Sequence, residues 1–172
     1  MVIKIINGQN IFLIELSLED FGNELTNYGK LSEKYALKSE KTDLEKYVKD
    51  IFYEIYKNCI SGKTDYRNVR RFIAVEYKSM EQVGGIDLKE SSFLDSLDHN
   101  PHTELGYGMS KNYEGLGYAT EMVGILCKYL KKESVNIYAE TEKYNNASIR
   151  VLEKNNFSRI YSGETYWWKL TD

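Results

Sequence analysis

A pair of glycines between a strand pattern and a helix pattern constrains this chain most. Residues 113–119 read Tyr-Glu-Gly-Leu-Gly-Tyr-Ala; Thr103 to Met109 before them reads as a strand, and Gly117 to Lys131 has apolar residues at helical spacing. Glycines at such a turn let several backbone N–H groups converge, and a helix start adds roughly half a positive charge. The pattern therefore predicts a phosphate or pyrophosphate site at this turn.

Two familiar phosphate motifs do not fit the turn, and a plain helix start would look similar. The run is not a complete Gly-x-Gly-x-x-Gly fingerprint, because position 120 is Thr120. It is not a P-loop either, since no Gly-Lys-Ser/Thr follows. The turn indicates a specific function only when the flanking sequence is considered with it.

The order of elements predicts one mixed sheet with helices on its faces. Ser17 and Thr42 both look like helix caps, each with an acidic residue close behind it. The stretch Ser91 to Pro101 reads as a polar loop. An α/β (α+β) fold in one domain, residues 1–172, follows from this order. The other predicted strands are Ile11 to Leu16, Val69 to Tyr77, Gln82 to Leu88, Val135 to Ala139 and a hairpin from Ser158 to Leu170, and the last helix is Asn145 to Lys154.

Charge and cysteine usage argue against several classes of partner. The net charge is −3 with a pI of about 5.6, so the basic surface of a nucleic-acid-binding protein is not expected. The start is not a signal peptide, and no apolar run approaches membrane-spanning length. Cys59 and Cys127 lack metal-ligand spacing and fall in apolar helical patterns, which predicts buried free thiols and no metal site. We therefore expect a cytoplasmic protein without a membrane partner.

Two stretches together resemble a known superfamily. Glu104 to Ser110 followed by Glu114 to Glu121 resembles the coenzyme-A-binding motif of the GNAT acetyltransferases. The downstream runs Tyr138 to Thr141 and Asn145 to Phe157 are similar to the branch that includes the ribosomal-protein N-terminal acetyltransferases. The resemblance implies a single-domain GNAT fold with a central mixed, mostly antiparallel sheet and helices on both faces. It also implies an enzyme that transfers the acetyl group of acetyl-CoA to a primary amine.

Two positions depart from the family pattern. Asn112 stands where the family often has Gln or Arg, but the backbone amides that follow matter more for the cofactor. Asn156 replaces the usual glycine before Phe157. Since Asn is the next-best residue for a left-handed position that ends a helix, we expect this substitution to be mild.

The resemblance implies where acetyl-CoA binds. The strand around Tyr107, Gly108 and Met109 is expected to pair with the pantetheine arm, and a bulge at its glycines would separate it from the next strand. An amide freed by the bulge would stabilise the oxyanion of the reaction. Close packing is the simpler explanation for these glycines. The backbone of the turn is expected to hold the pyrophosphate, through Glu114, Gly115, Leu116, Gly117, Tyr118, Ala119 and Thr120.

The reaction needs groups that move protons, and the sequence offers several. Glu104 is the first candidate for the base, since it lies on the strand that meets the cofactor, and Glu164 in the terminal hairpin is the second. A solvated strand carboxylate is the simpler reading of Glu104. His99 and His102 flank Pro101 and read as surface residues.

Asn145 and Ser148 open the last helix. Asn145 matches a family asparagine that contacts the pantetheine arm, although it or Asn146 would also serve as the helix cap. Family members with a serine at the position of Ser148 are proposed to use it on the departing sulfur. A serine in the first turn of a helix often bonds only the backbone.

The sequence is compatible with several acceptor amines and with two states of assembly. The ribosomal-protein branch favours a protein N-terminal α-amine, while a polyamine, an antibiotic or an amino acid fits the same fold. The alternative to an enzyme is a non-catalytic CoA-binding regulatory module. A monomer and a homodimer are both compatible with the sequence.

Overall fold

The computed structural model describes residues 4–42 and 44–171, which build one eight-stranded sheet with helices on both faces. The spatial strand order is β1-β2-β3-β4-β5-β6-β8-β7, and only β5 and β6 pair in parallel. This confirms the predicted fold class. In chain order the elements are β1 Lys4–Asn7, β2 Ile11–Glu15, α1 Leu18–Thr26, α2 Tyr28–Tyr35, α3 Lys46–Ile60, β3 Arg71–Glu76, β4 Gln82–Lys89, α4 Ser92–Leu97, β5 His102–Met109, α5 Tyr118–Leu130, β6 Asn136–Thr141, α6 Asn146–Lys154, β7 Phe157–Ser162 and β8 Tyr166–Leu170.

The two predicted helix caps have different outcomes. Ser17 caps α1 as predicted, because its hydroxyl accepts a hydrogen bond from the backbone N–H of Asp20 at 3.1 Å. Thr42 does not cap α3, which begins only after Glu45. The Thr42 hydroxyl instead accepts from the backbone N–H of Leu44 at 3.3 Å, and this local turn delays the helix. Asp43, the acidic residue between them, lies outside the described residues.

The predicted polar loop Ser91 to Pro101 is wrong over half its length, because residues Ser92–Leu97 form helix α4. Leu94 is fully buried against Tyr138 and Trp167, and the ring of Phe93 stacks on Trp167 with centroids 4.5 Å apart. Six residues have little helical tendency of their own. The helix therefore depends on these contacts with the sheet, which the local sequence does not reveal.

Alternation along the strands divides the core between the two faces of the sheet. One face packs against α5 and α6, with Met122, Leu126 and Leu152 at the centre of the cluster. The opposite face packs against α1, α2 and α3 around Phe21 and Leu31. Both cysteines are buried free thiols, as predicted. No described helix is long and apolar enough to span a bilayer.

The sheet opens between β5 and β6. These strands pair from His102 with Asn136 to Leu105 with Ala139, and no farther. Beyond that point β5 stays paired with β4, while Glu140 and Thr141 pair only with β8. The separation was predicted, but the bulge expected at the β5 glycines is absent, since β5 keeps an uninterrupted register with β4. Strand β6 stays paired with β8 as far as Thr141, and the opening occurs without an extra residue in β5.

Candidate active site

The turn before α5 leaves its backbone amides open. Gly115 and Gly117 have φ values of 74° and 86°, which an L side chain rarely adopts, and a Cβ at either position would meet no described atom within 4 Å. Gly117 is the residue that caps α5, and it has no side chain to accept from the first backbone N–H groups of this helix. These N–H groups have no partner within the helix. The turn therefore presents free donors and a positive helix end to an anion.

Two stacked tyrosines hold the turn against the hairpin of β3 and β4. The rings of Tyr113 and Tyr118 lie 6.2 Å apart at 30°. Their hydroxyls donate short hydrogen bonds to Glu81 and Glu76, respectively. Because Glu76 ends β3 and Glu81 precedes β4, both ends of the glycine turn are tied to the central sheet.

The opening between β5 and β6 forms a cleft of about 560 Å³ that passes from one face of the sheet to the other. Gly106 and Gly108 lie on the face of α3, and Tyr107 on the face of α5 and α6. Ser110 lies at the end of the cleft toward the glycine turn. Beyond Leu105, the β5 backbone groups that point away from β4 have no partner strand. They are free to bind an extended ligand arm as a further strand would.

A cluster of charged side chains lies on the α3 face of the cleft. Arg71 is 3% exposed and binds Glu24 with two hydrogen bonds of 3.0 Å. Lys89 donates to Glu104 at 3.0 Å. Asp87 lies between these pairs, with Oδ1 at 3.7 Å from Nη1 of Arg71. Burial raises the pKa of Asp87 to about 6. The cluster therefore holds a carboxylate that titrates near neutral pH.

The opposite side of the cleft is the start of α6. Asn145 Oδ1 accepts a hydrogen bond from the backbone N–H of Ser148 at 3.1 Å, so Asn145 and not Asn146 caps this helix. The Tyr107 hydroxyl donates to the carbonyl oxygen of Ser148 at 3.2 Å. Burial raises the pKa of Tyr107 to about 12, so the hydroxyl stays protonated at physiological pH. This bond connects β5 to α6 across the cleft.

A family model for the acetyltransferase (GNAT) domain matches residues 18–158, which include the glycine turn, both walls of the cleft and α6. The chain belongs to the GNAT acetyltransferases. Members of this family use acetyl-CoA, so the protein is an acetyl-CoA-dependent acetyltransferase.

Solved structures share the fold of this GNAT protein at low sequence identity. RimL, a ribosomal L7/L12 alpha-N-protein acetyltransferase in complex with coenzyme A, has a TM-score of 0.64 and 13% identity, with 96% of this chain and 97% of that chain covered. A ribosomal-protein-S5-alanine acetyltransferase from Vibrio fischeri has a TM-score of 0.60 and 13% identity, with 96% of this chain and 94% of that chain covered. A chimera of the spermidine N-acetyltransferase SpeG from Vibrio cholerae and hSSAT has a TM-score of 0.60 and 15% identity, with 94% of this chain and 95% of that chain covered. No curated protein sequence matches the chain significantly.

The residues predicted for acetyl-CoA lie in two neighbouring parts of the GNAT fold. Tyr107, Gly108, Met109 and Asn145 line the cleft, and the turn at residues 114–120 follows β5 and precedes α5. The uncapped amides suit a pyrophosphate, and the unpaired strand edge suits an amide-bearing arm. The described chain thus has backbone amides at a helix start and an unpaired strand edge in the order that the pyrophosphate and the arm of acetyl-CoA would need. No group of His, Cys, Asp or Glu in the described ranges is arranged to hold a metal ion.

The candidates for proton transfer are more dispersed. Glu104 is 7% exposed, and its carboxylate accepts a hydrogen bond from Lys89. Glu164 is exposed in the β7–β8 turn beside Thr165, which lines the cleft. His102 contacts Asp95 at 3.2 Å, away from the cleft. Of the predicted groups, Ser148 lines the cleft directly.

Sequence reasoning missed the charged cluster. Arg71, Asp87 and Lys89 look like ordinary strand charges, and Glu24 like a solvated residue of the first helix. The sequence does contain one indication of the cluster, which is a set of charged residues within strands that are otherwise apolar. Buried strands rarely carry such residues. This set lies beside the free edge of β5.

Proposed function

We propose that this GNAT protein is an N-acetyltransferase that transfers the acetyl group of acetyl-CoA to a primary amine, either a protein N-terminal α-amine or a small-molecule amine, by direct attack. The observation that carries the proposal is the cleft itself, which places a charged face of the sheet beside the free edge of β5 and ends at Ser110, before the glycine turn that precedes α5. Acetyl-CoA enters from the turn, and the amine approaches from the α3 face.

The lining of the α3 face supports a cationic acceptor with an apolar part. Four carboxylates line the cleft against two cationic side chains, so its field favours positive charge. Helix α3 contributes Tyr47, Ile51 and Phe52, and the first two are exposed. The carboxylates are Glu45, Asp87, Glu140 and Glu142, and the cations are Arg71 and Lys89.

The amine reaches the thioester as an ammonium ion, since a lysine-like group has a pKa near ~10. A carboxylate of the charged face takes a proton, for which sequence reasoning proposes Glu104. The unpaired amides of β5 stabilise the oxyanion, and Ser148 hydrogen-bonds the departing sulfur. Asn145 contributes to binding of the pantetheine arm. We place the reaction in the cytoplasm, where the buried thiols of Cys59 and Cys127 stay reduced.

The test is release of free thiol from acetyl-CoA in the presence of a panel of amines. Peptides with different free N-termini, spermidine, an aminoglycoside and single amino acids cover the acceptor classes. We expect turnover with at least one cationic amine and none with acetylated versions of the same compounds. If acetyl-CoA binds but no amine is acetylated, the protein is a non-catalytic CoA-binding module.

A further inference from the structure

We propose that Asp87 is the carboxylate that receives the ammonium group of the acceptor and takes its proton, whereas Glu104 acts only through Lys89. This role rests on the proposed acetyltransferase function and adds a catalytic residue to it. It depends on three features of the described residues: position, charge balance and acidity.

Asp87 projects into the cleft over a glycine of β5. It pairs with Gly106 in the register of β4 and β5, so both lie on the same face of the sheet. A Cβ on Gly106 would lie 3.0 Å from Nζ of Lys89 and 3.2 Å from Asp87 Oδ2, so both charged groups lie over this glycine. Gly106 is also the first residue of β5 beyond the last pair with β6. The carboxylate therefore lies beside the strand edge where the thioester end of an extended ligand arm would be.

The charge balance of the cluster identifies Asp87 as its most weakly paired carboxylate. The cluster contains the cations Arg71 and Lys89, and the geometry assigns each to a different carboxylate. Arg71 binds Glu24 through two hydrogen bonds, and Gln82 donates a third to the same carboxylate at 3.1 Å. The remaining carboxylate, Asp87, accepts no hydrogen bond from the part of the chain that the structure describes, and its distance to Arg71 exceeds hydrogen-bonding range.

A carboxylate at 8% exposure that shares its nearest cation with Glu24 is unfavourable until a further cation joins it. The ammonium group of an acceptor supplies that cation, and Asp87 lines the cleft through which the acceptor approaches. Glu104 has no such need, since Lys89 already neutralises it. Taking a proton on Glu104 would also leave the Lys89 ammonium without its partner.

The surroundings of Asp87 give its carboxyl a pKa that suits a general base. Burial raises its pKa to about 6. The charges that face it are Arg71 on β3 and Lys89 on β4, which lower the pKa, and Glu104 on β5 and Glu24 on α1, which raise it. At pH 7 Asp87 is ionised, yet it is a stronger base than a solvated carboxylate.

The proposed step balances as follows for one acceptor. The ammonium gives one proton to Asp87, and the freed lone pair forms the C–N bond to the thioester carbonyl carbon while the C–S bond breaks. A second proton from the nitrogen goes to the leaving sulfur. The products are the N-acetyl compound, the free thiol and the proton on Asp87, which water removes.

The experiment compares the pH dependence of kcat/KM for Asp87→Asn, Glu104→Gln and the wild-type protein. Asp50→Asn, an exposed change of the same kind on α3, is the control. We expect Asp87→Asn to lower kcat/KM by about 10²–10³-fold at pH 8, and Glu104→Gln by at most about tenfold. The acetyl-CoA-induced rise in melting temperature shows whether each variant is folded. Asp50→Asn should match the wild type.

A second measurement does not need a folded Asp87 variant. The wild-type kcat/KM should fall below a pKa of about 6. In Glu104→Gln this acid limb should persist and move to lower pH, because the carboxylate that raises the pKa of Asp87 is gone. Loss of the limb in Glu104→Gln, or wild-type kcat/KM in folded Asp87→Asn, would overturn the role of Asp87. Absence of wild-type turnover with every amine would instead overturn the proposed function.

Discussion

The Tyr107 hydroxyl donates a hydrogen bond to the carbonyl oxygen of Ser148 across 3.2 Å, and this bond joins the two walls of the cleft. Tyr107 belongs to β5 and Ser148 to the first turn of α6, so the bond spans the place where the sheet opens. Strand pairing does not hold the walls together there. The width of the cleft therefore depends on side-chain contacts of this kind.

Tyr107→Phe should destabilise the fold by about 1 kcal/mol, the net contribution of one hydrogen bond. Urea unfolding measures this loss, which should be the same between pH 6 and 9 because the pKa of Tyr107 is about 12. Tyr144→Phe is the control, since Tyr144 is 80% exposed. Equal stability of both variants would show that the bond contributes nothing.

Gly117→Ala should abolish most of the stabilisation that acetyl-CoA gives. Wild-type melting temperature should rise with the logarithm of ligand concentration, and at 100 times Kd the gain is about 2.7 kcal/mol. A side chain at φ 86° strains the turn and moves the amides that face the ligand. We expect at least a tenfold weaker affinity for acetyl-CoA in a thermal-shift titration.

Gly62→Ala separates strain from binding in this experiment. Gly62 has φ 74° in the turn after α3 and open space around its Cβ position, so the same substitution costs about 1–2 kcal/mol there as well. It should lower the melting temperature but leave the acetyl-CoA shift intact. A reduced shift in both variants would point to general destabilisation.

Features encoded by a few neighbouring residues were predictable from the sequence. The Ser17 cap, the glycine turn before α5 and the hairpin of β7 and β8 form as expected. Asn156 adopts φ 62°, the left-handed conformation expected where it replaces glycine. In each case the conformational preference of one or two residues decides the local structure.

Features that depend on distant contacts were not predictable. Strand β1 was missed, because a four-residue edge strand is defined only by its pairing with β2. Helix α4 was missed because its stability comes from Trp167 and Tyr138. Asp87 was missed because its charge imbalance arises only when α1, β3, β4 and β5 come together. The role of Glu104 as a base stays a prediction from sequence, and the variants above test it.

Ser148→Ala should reduce turnover about tenfold with little change in acetyl-CoA affinity. The hydroxyl is proposed to hold the departing sulfur, and one hydrogen bond made in the transition state contributes about 1–1.5 kcal/mol. The cap from Asn145 goes to the backbone N–H of Ser148, so alanine leaves it in place. Single-turnover rates and the KM for acetyl-CoA separate the two effects.

Ser158→Ala on β7 is the control for this change, because Ser158 is exposed and outside the cleft. It should behave as the wild type. Full turnover by Ser148→Ala would reduce Ser148 to a helix residue, and Tyr144, next to the start of α6, would then be the next hydroxyl to test.

The raised pKa of Asp87 should also appear in the stability of the protein. Its pKa is 3.8 in the unfolded chain and about 6 in the folded one, so folding favours the protonated form. This contribution is fully present below pH 3.8 and is lost as the pH rises through 6. Two pKa units correspond to as much as about 3 kcal/mol.

Asp87→Asn removes the ionisable group, so its unfolding free energy should decline less than that of the wild type between pH 4 and 7. At pH 8 the variant should be as stable as the wild type or more so, while its turnover is lost, as expected where an active site keeps a destabilising charge. Urea unfolding of both proteins across this range measures the difference, and parallel pH profiles would mean that Asp87 ionises normally in the folded protein.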